Sequence, residues 1–424
     1  MKMLACCIAL TAAMSSAAAA PEVIGYYPGW KSAAFPVNAE NVDAGRMTTV
    51  LYAFLDMCWN GRHGNPDPSA GVVEACSGAN GSLALRDEEQ DGANLRALVA
   101  LKKWNPKFKV MVSVGGWNWS NQFSNVADDA AARANFIASS LALLRKYGLD
   151  GVDIDWEYPT RAGVPCTAGK VCERPTDKRN FITLARELRT AFDAAGRKDR
   201  KHYHITIAAG GNANYVEGAW LKELSASLDW INIMAYDYHM PWEPASGHHA
   251  ALMGDAADPQ TASGFYGAAS VQRYLAEGVK ADKLVLGVPF YGYGWKGCAA
   301  GAAGDGQYQQ CGGAADGGED GGASYGFSHL LRRGLLREPG GDGAGGSDGV
   351  YVGGQGYTRF WNDAAKAPYL YNPSTQVWIS YEDPASLREK ARYIKDQHLR
   401  GAMFWELSAD DGHQLLHALS AALR

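Results

Sequence analysis

Eight short runs, each apolar or alternating, recur along the chain: Glu22 to Tyr27, Thr48 to Leu55, Phe108 to Ser113, Gly151 to Glu157, Tyr203 to Ala209, Trp230 to Asp237, Leu284 to Tyr291 and Gly401 to Leu407. Between several of them lie segments with apolar residues at helical spacing: Asn94 to Lys103, Ala131 to Tyr147, Lys178 to Ala194, Ala268 to Glu277 and Pro384 to His398. Strand and helix signals in alternation predict parallel βα units, because parallel neighbours need a crossover long enough to hold a helix. Eight such units close into a (β/α)8 TIM barrel, an α/β fold whose chemistry sits at the C-terminal ends of the strands. The alternative is a doubly wound open sheet, but no G-x-G-x-x-G turn follows the first run. A length of 424 residues suits one large barrel with an insertion, or two domains.

The longest break in the alternation falls between the seventh run and the helix starting near Pro384. Its first part, Gly297 to Gly356, is dense in Gly, Asp and Ala; its second, Tyr357 to Tyr381, is rich in Tyr and Trp with strand-like alternation. A small α+β insertion over 292–382 within a 21–424 barrel is therefore expected, and its departure from a strand's C-terminal end should make it a wall of the cleft. The Asp/Gly tract lacks the ordered ligand spacing of a calcium loop, so a flexible solvated loop is expected there. After the eighth run there is room only for a last helix, Gly412 to Leu423.

The fourth run carries the chemistry. Asp150-Gly151-Val152-Asp153-Ile154-Asp155-Trp156-Glu157-Tyr158-Pro159 puts Asp153, Asp155 and Glu157 on one face of an extended strand, roughly 6 to 7 Å apart along the chain. Val152, Ile154 and Trp156 fall on the other face and should pack under helices. Neighbouring carboxylates in a poorly solvated row raise one another's pKa, so a proton should be held there near neutral pH, as general acid catalysis requires. A solvated acidic edge strand is the competing reading, and the bulky Trp156 argues against it. Asp150 has the wrong parity to join the row.

Met1-Lys2, the apolar run Leu4 to Met14 and the small residues Ser15 to Ala20 read as a secretory signal peptide over 1–20. No later stretch is apolar enough for a membrane span, and a formal charge of −5 without a basic block argues against nucleic acid. Six cysteines follow the leader. Sequence alone allows fifteen pairings, but Cys58/Cys76, Cys166/Cys172 and Cys298/Cys311 fall as neighbouring couples in loop regions and read as three local staples, consistent with an oxidising compartment. No couple has Cys-x-x-Cys spacing, so no metal and no cofactor is expected. The 13 Trp and 21 Tyr supply rings of the kind that line clefts for ring-shaped ligands.

Asp150-x-x-Asp153-x-Asp155-x-Glu157 resembles the signature of glycoside hydrolase family 18 chitinases, of the bacterial subfamily A type. The other motifs follow in order: Ser113-Val114-Gly115-Gly116-Trp117 is similar to the family's S-x-G-G, Met234-Ala235-Tyr236-Asp237 to its M-x-Y-D, and Trp405 stands where the family has a tryptophan under the cleaved sugar. The resemblance implies an enzyme acting on chitin and N-acetylglucosamine oligosaccharides; the leader implies export, and a monomer is the default expectation, since nothing in the sequence requires an oligomer. Glu157 would be the acid and then the base, Asp155 would turn between Asp153 and Glu157, and Tyr236 would orient the substrate's acetamido group. Trp405, Asp237 and Met234 would shape the sugar pocket, with Trp117, Tyr27 and Trp242 as stacking candidates. Ser113, Tyr26 and Gly116 would support, Gly115 and Gly116 by letting backbone approach closely. Tyr293 stands at a position often held by Arg, which leaves a polar contact there open. Rival readings are an endo-β-N-acetylglucosaminidase, a peptidoglycan hydrolase and a chitin-binding lectin; the retained Glu157, Asp155 and Tyr236 argue against the last.

Overall fold

The computed structural model describes residues 20–64, 73–166, 170–338 and 350–424. The expected leader, apart from Ala20, lies outside the described residues. Eight strands run parallel: β1 (Glu22–Pro28), β2 (Thr49–Met57), β3 (Lys109–Gly115), β4 (Gly151–Asp155), β5 (His204–Gly210), β6 (Trp230–Met234), β7 (Leu284–Pro289) and β8 (Gly401–Trp405). Each pairs with its sequence neighbours, and β1 pairs with both β2 and β8, so the sheet closes into a (β/α)8 barrel. A two-residue strand, Leu83–Ala84, pairs antiparallel to the end of β2 outside the closure.

The principal helices are α1 (Glu88–Ala100), α2 (Ala130–Tyr147), α3 (Asp177–Asp199), α4 (Gly267–Ala276), α5 (Pro384–Asp396) and α6 (Gln414–Leu423), and α1, α2 and α5 begin at side-chain caps. Asp87 accepts from the Glu89 and Gln90 N–H groups, Asp129 from Ala132 N–H, and Asp383 forms a capping box ahead of Pro384. Side chains of alternate parity on the strands then fill two cores. Val152, Ile154 and Trp156 belong to the outer core under the helices, where Trp156 stacks on Phe123 (5.4 Å) and meets Phe181 (5.3 Å). Ile24, Tyr26, Leu51, Met111, Trp230, Val285 and Met403 fill the barrel itself, with Phe54, Met234, Tyr236 and Trp405 above them.

Four strands end two or three residues before the sequence pattern does: β4 at Asp155, β6 at Met234, β7 at Pro289 and β8 at Trp405. The residues beyond leave the ladder to turn toward the cleft, and Asp237 does so at φ 58°. Glu157 therefore stands past the strand and not on its face.

Straight after β7 the chain enters a second sheet. Its antiparallel strands Tyr291–Lys296, Val377–Ser380, Ala367–Asn372 and Thr358–Asn362 lie in that order, with Ser324–Gly326 on the first strand and a short helix, Phe327–Arg332, beside it. Trp295, Tyr369, Tyr371 and Trp378 form its core. The three cysteine couples are bonded as Cys58–Cys76, Cys166–Cys172 and Cys298–Cys311. No described helix is long and apolar enough to cross a membrane.

Candidate active site

Parallel register sets Ser113 opposite Asp153, and Asp153 opposite Thr206. Asp153 is fully buried and accepts four hydrogen bonds: Tyr26 Oη (2.9 Å) and Ser113 Oγ (2.7 Å) on Oδ2, Thr206 Oγ1 (2.6 Å) and Asn232 Nδ2 (3.3 Å) on Oδ1. Burial raises its pKa while those donors pull it back. Asp155, two residues on, is almost as deep at 4% exposure, yet its Oδ1 has no hydrogen-bond partner. Burial, then Glu157, then Asp153 push its carboxyl well above the ordinary range. The row therefore favours retaining a proton that its carboxyls share, and it titrates as one coupled unit.

Glu157 lines the cleft beyond the strand. Its N–H donates to Ser120 Oγ (2.9 Å), whose single O–H lies within reach of the Gly116 and Asp155 carbonyls (2.8 and 3.0 Å), so one serine ties down the exit from β4. Burial raises the Glu157 carboxyl to about 7, with Tyr158 lowering it and Asp237 raising it. Such a group is part protonated and part ionised at neutral pH, as an acid that later serves as base must be. Among the described residues no lysine or arginine forms an ion pair with Asp153, Asp155, Glu157 or Asp237.

The cleft above these acids holds about 890 Å³ and is lined by Asp155, Glu157, Met234, Tyr236, Asp237, Trp117, Trp242 and Trp405, among others. Trp405 stacks on Phe54 (5.5 Å), which stacks on Trp30 (6.1 Å). Gly116 makes room for that platform: a Cβ there would meet the Phe54 ring at 2.5 Å. Trp117 and Trp242 are 52% and 73% exposed, as rings awaiting a flat partner would be. Tyr291 Oη donates to Asp237 Oδ1 (2.6 Å), and Tyr293 also hydrogen-bonds this carboxylate. The position where the sequence left a polar contact open thus holds a phenol beside Asp237. The peptide bonds Ala53–Phe54, Glu157–Tyr158 and Trp405–Glu406 at this rim are cis.

One expected stacking residue lies elsewhere. Tyr27 does not face the cleft; it is fully buried, donates to the Phe35 carbonyl (2.5 Å) and stacks on Tyr52. Tyr26 points into the barrel, and on a strand its neighbour must point out. Asp150 stays outside the row, as parity requires, bonded to Lys102 (2.5 Å) and Lys201 (3.2 Å).

The sequence-profile match decides what this arrangement belongs to: the description of glycosyl hydrolases family 18 fits residues 22–410. The chain belongs to glycosyl hydrolases family 18. It is 42% identical to Chitinase A1 of Niallia circulans over 98% of its own length, and spans 60% of that protein. The solved chitinase ChiA74 from Bacillus thuringiensis matches with TM-score 0.82 at 37% identity, over 95% of this chain and 70% of that one. A Cycas revoluta family 18 chitinase, solved in complex with (GlcNAc)3, matches with TM-score 0.71 at 25% identity, over 95% and 99% of the two chains.

For a family 18 chain the sequence reading missed Thr206, Asn232, Phe54 and Trp30. The first two carried a signal, since each interrupts an Ile-x-Ile pair (Ile205-Thr206-Ile207, Ile231-Asn232-Ile233) with a polar residue of the inward parity. Phe54 and Trp30 carried none, because a ring's place in a platform depends on loops from different strands. Among the described residues two groups could hold a metal ion, Asp43/His413/His417 and His202/His204/Asp229; neither contributes to the cleft.

Proposed function

We propose that this family 18 chain is a secreted chitinase that hydrolyses β-1,4 linkages between N-acetylglucosamine units with retention, the substrate's own 2-acetamido group serving as nucleophile. The observation that carries the reading is the unpartnered Asp155 Oδ1 in a cleft that also holds Glu157 near pKa 7. A buried carboxyl oxygen without a donor costs free energy that a ligand N–H can recover, and an acetamido N–H is such a donor. Asp153 is a poor alternative nucleophile, because four donors occupy its oxygens at full burial. The substrate class follows the named relatives and fits the cleft, whose Trp405 platform offers a flat floor to a sugar ring.

In this mechanism Glu157 donates its proton to the glycosidic oxygen as the acetamido carbonyl oxygen bonds to C1 and the leaving sugar departs. Asp155 turns from Asp153 toward Glu157, leaving the proton they share on Asp153, and as a carboxylate it accepts the acetamido N–H and stabilises the positive charge of the oxazolinium ion. Glu157, now ionised, takes a proton from water, whose oxygen bonds to C1 on the face the leaving group vacated as the bond from C1 to the acetamido oxygen breaks, restoring the acetamido group and the β anomer. Tyr236 holds the acetamido oxygen, and Met234 and Asp237 close the pocket around it.

A time course on N-acetylglucosamine hexamer with anomeric analysis tests the reading. Early release of β-anomeric products is expected, with no turnover of fully deacetylated chitosan. Early α products, or full activity on the deacetylated polymer, would overturn it.

A further inference from the structure

Beyond Asp237 the loop Tyr238-His239-Met240-Pro241-Trp242-Glu243 brings Tyr238, Met240 and Trp242 into the cleft. Trp242 is 73% exposed, so its own contacts hold it weakly and its place depends on its backbone. That backbone is a turn closed by Glu243 N–H donating to the Met240 carbonyl (2.9 Å), with Pro241 in the position where its fixed φ favours a turn. Glu243 reinforces the same turn with its side chain, Oε1 accepting from Met240 N–H (3.2 Å).

Its other oxygen, Oε2, meets His239 Nδ1 at 2.9 Å, and His239 Nε2 meets Asp258 Oδ2 at 3.1 Å. With a carboxylate on each ring nitrogen both nitrogens must donate, so the ring is an imidazolium. Burial lowers its pKa, but the two acids outweigh that and lift it to about 9. The ring is 3% exposed. Gly247 seals one face, where a Cβ would meet the imidazole at 2.4 Å. Gln260 Nε2 donates to Glu243 Oε2 (2.9 Å), completing the cluster. None of these groups lines the cleft.

We propose that His239 is a positioning residue for substrate binding: by bridging Glu243 and Asp258 it fixes the Met240–Glu243 turn and so holds Trp242 where the outer sugars of a chitin chain stack. The inference rests on the chitinase reading above. It separates this buried ion cluster from a merely structural one, because its effect should pass through one exposed ring and scale with the number of sugars bound.

The test compares wild type, His239→Gln, Trp242→Ala and the double variant on N-acetylglucosamine hexamer and on a fluorogenic disaccharide. His239→Gln is expected to raise KM for the hexamer about fivefold with kcat within about twofold, and to leave the disaccharide parameters nearly unchanged. In the double variant the loss should stay close to that of Trp242→Ala alone, since residues acting through one another are not additive. An unchanged hexamer KM, an equal loss on both substrates, or full additivity would overturn the proposal. Should His239→Gln fail to fold, Glu243→Gln, which removes one carboxylate from a less buried position, is expected to give the same KM shift, and a normal KM there sinks the idea. A wild-type protein inactive on the hexamer would remove the chitinase reading and this inference with it; an active wild type with an unaffected variant removes only the inference.

Discussion

Three acids at the N-terminal end of the barrel and the two carboxyls Asp155 and Glu157 of the cleft are treated in opposite ways. At the N-terminal ends of the strands every acid named here has a cation. Glu22 meets Lys109 (3.1 Å) and Arg400 (3.6 Å), Asp150 meets Lys102 and Lys201, and Asp229 meets Arg189 (3.2 Å) and His202 (2.6 Å). Burial alone would raise Glu22 and Asp229; Lys109 and Arg400 carry the first below its usual range, and His204, the Ile205 N–H and His202 carry the second down. At the C-terminal ends Asp155 and Glu157 have no cation and their carboxyls rise. The same residue types are ion-paired at one end and, in the proposed mechanism, transfer protons at the other. What separates them is whether the fold supplies a counter-charge.

The contrast is broken most severely at Glu157. Glu157→Gln should lower hexamer hydrolysis roughly 10³-fold while oligosaccharide binding persists, measured by single-turnover kinetics and calorimetry. Asp155→Asn, which cannot supply the negative charge opposite an oxazolinium ion, should lose roughly 10²-fold in kcat in the same assay. Normal turnover in either variant would end the assignment.

The pH dependence has opposite signs at the two ends. Glu157 moves from 4.5 to about 7 on folding, so its contribution to stability is complete below 4.5 and is lost as pH rises through 7. The melting temperature of Glu157→Gln should therefore overtake that of wild type between pH 5 and pH 8, as read by calorimetry. Asp229 moves downward, so its contribution is present above 3.8 and is lost as pH falls. Asp229→Asn should cost about 2 kcal/mol at pH 7, where charge-assisted bonds are lost, and less toward pH 3, with kcat unaffected. Lys102→Met, which removes one of two cations from Asp150, should cost under about 1 kcal/mol.

Much of the site was legible before the fold was known. Period-two alternation placed Asp153 and Asp155 inward and Trp156 outward, and the family motifs placed Met234, Tyr236, Asp237 and Trp405 around the sugar pocket with Ser113 in support. The same parity rule, applied to β1, would have removed Tyr27 once Tyr26 was inward. It would also have admitted Thr206 and Asn232, the two polar interruptions of apolar strands that saturate Asp153. Strand ends were less legible, because residues such as Glu157 and Asp237 continue the pattern after the ladder has stopped.

The sequence by itself determined the alternation that closes a barrel, the identity of the acids and the direction each faces, since these follow from covalent geometry and side-chain period. Only the tertiary structure decided which acid is left without a donor, which rings share the Phe54 platform, and that His239 lies between Glu243 and Asp258. Those facts depend on distances between segments far apart in the chain, and a few ångströms of approach set whether a buried carboxylate is satisfied, paired or poised to react.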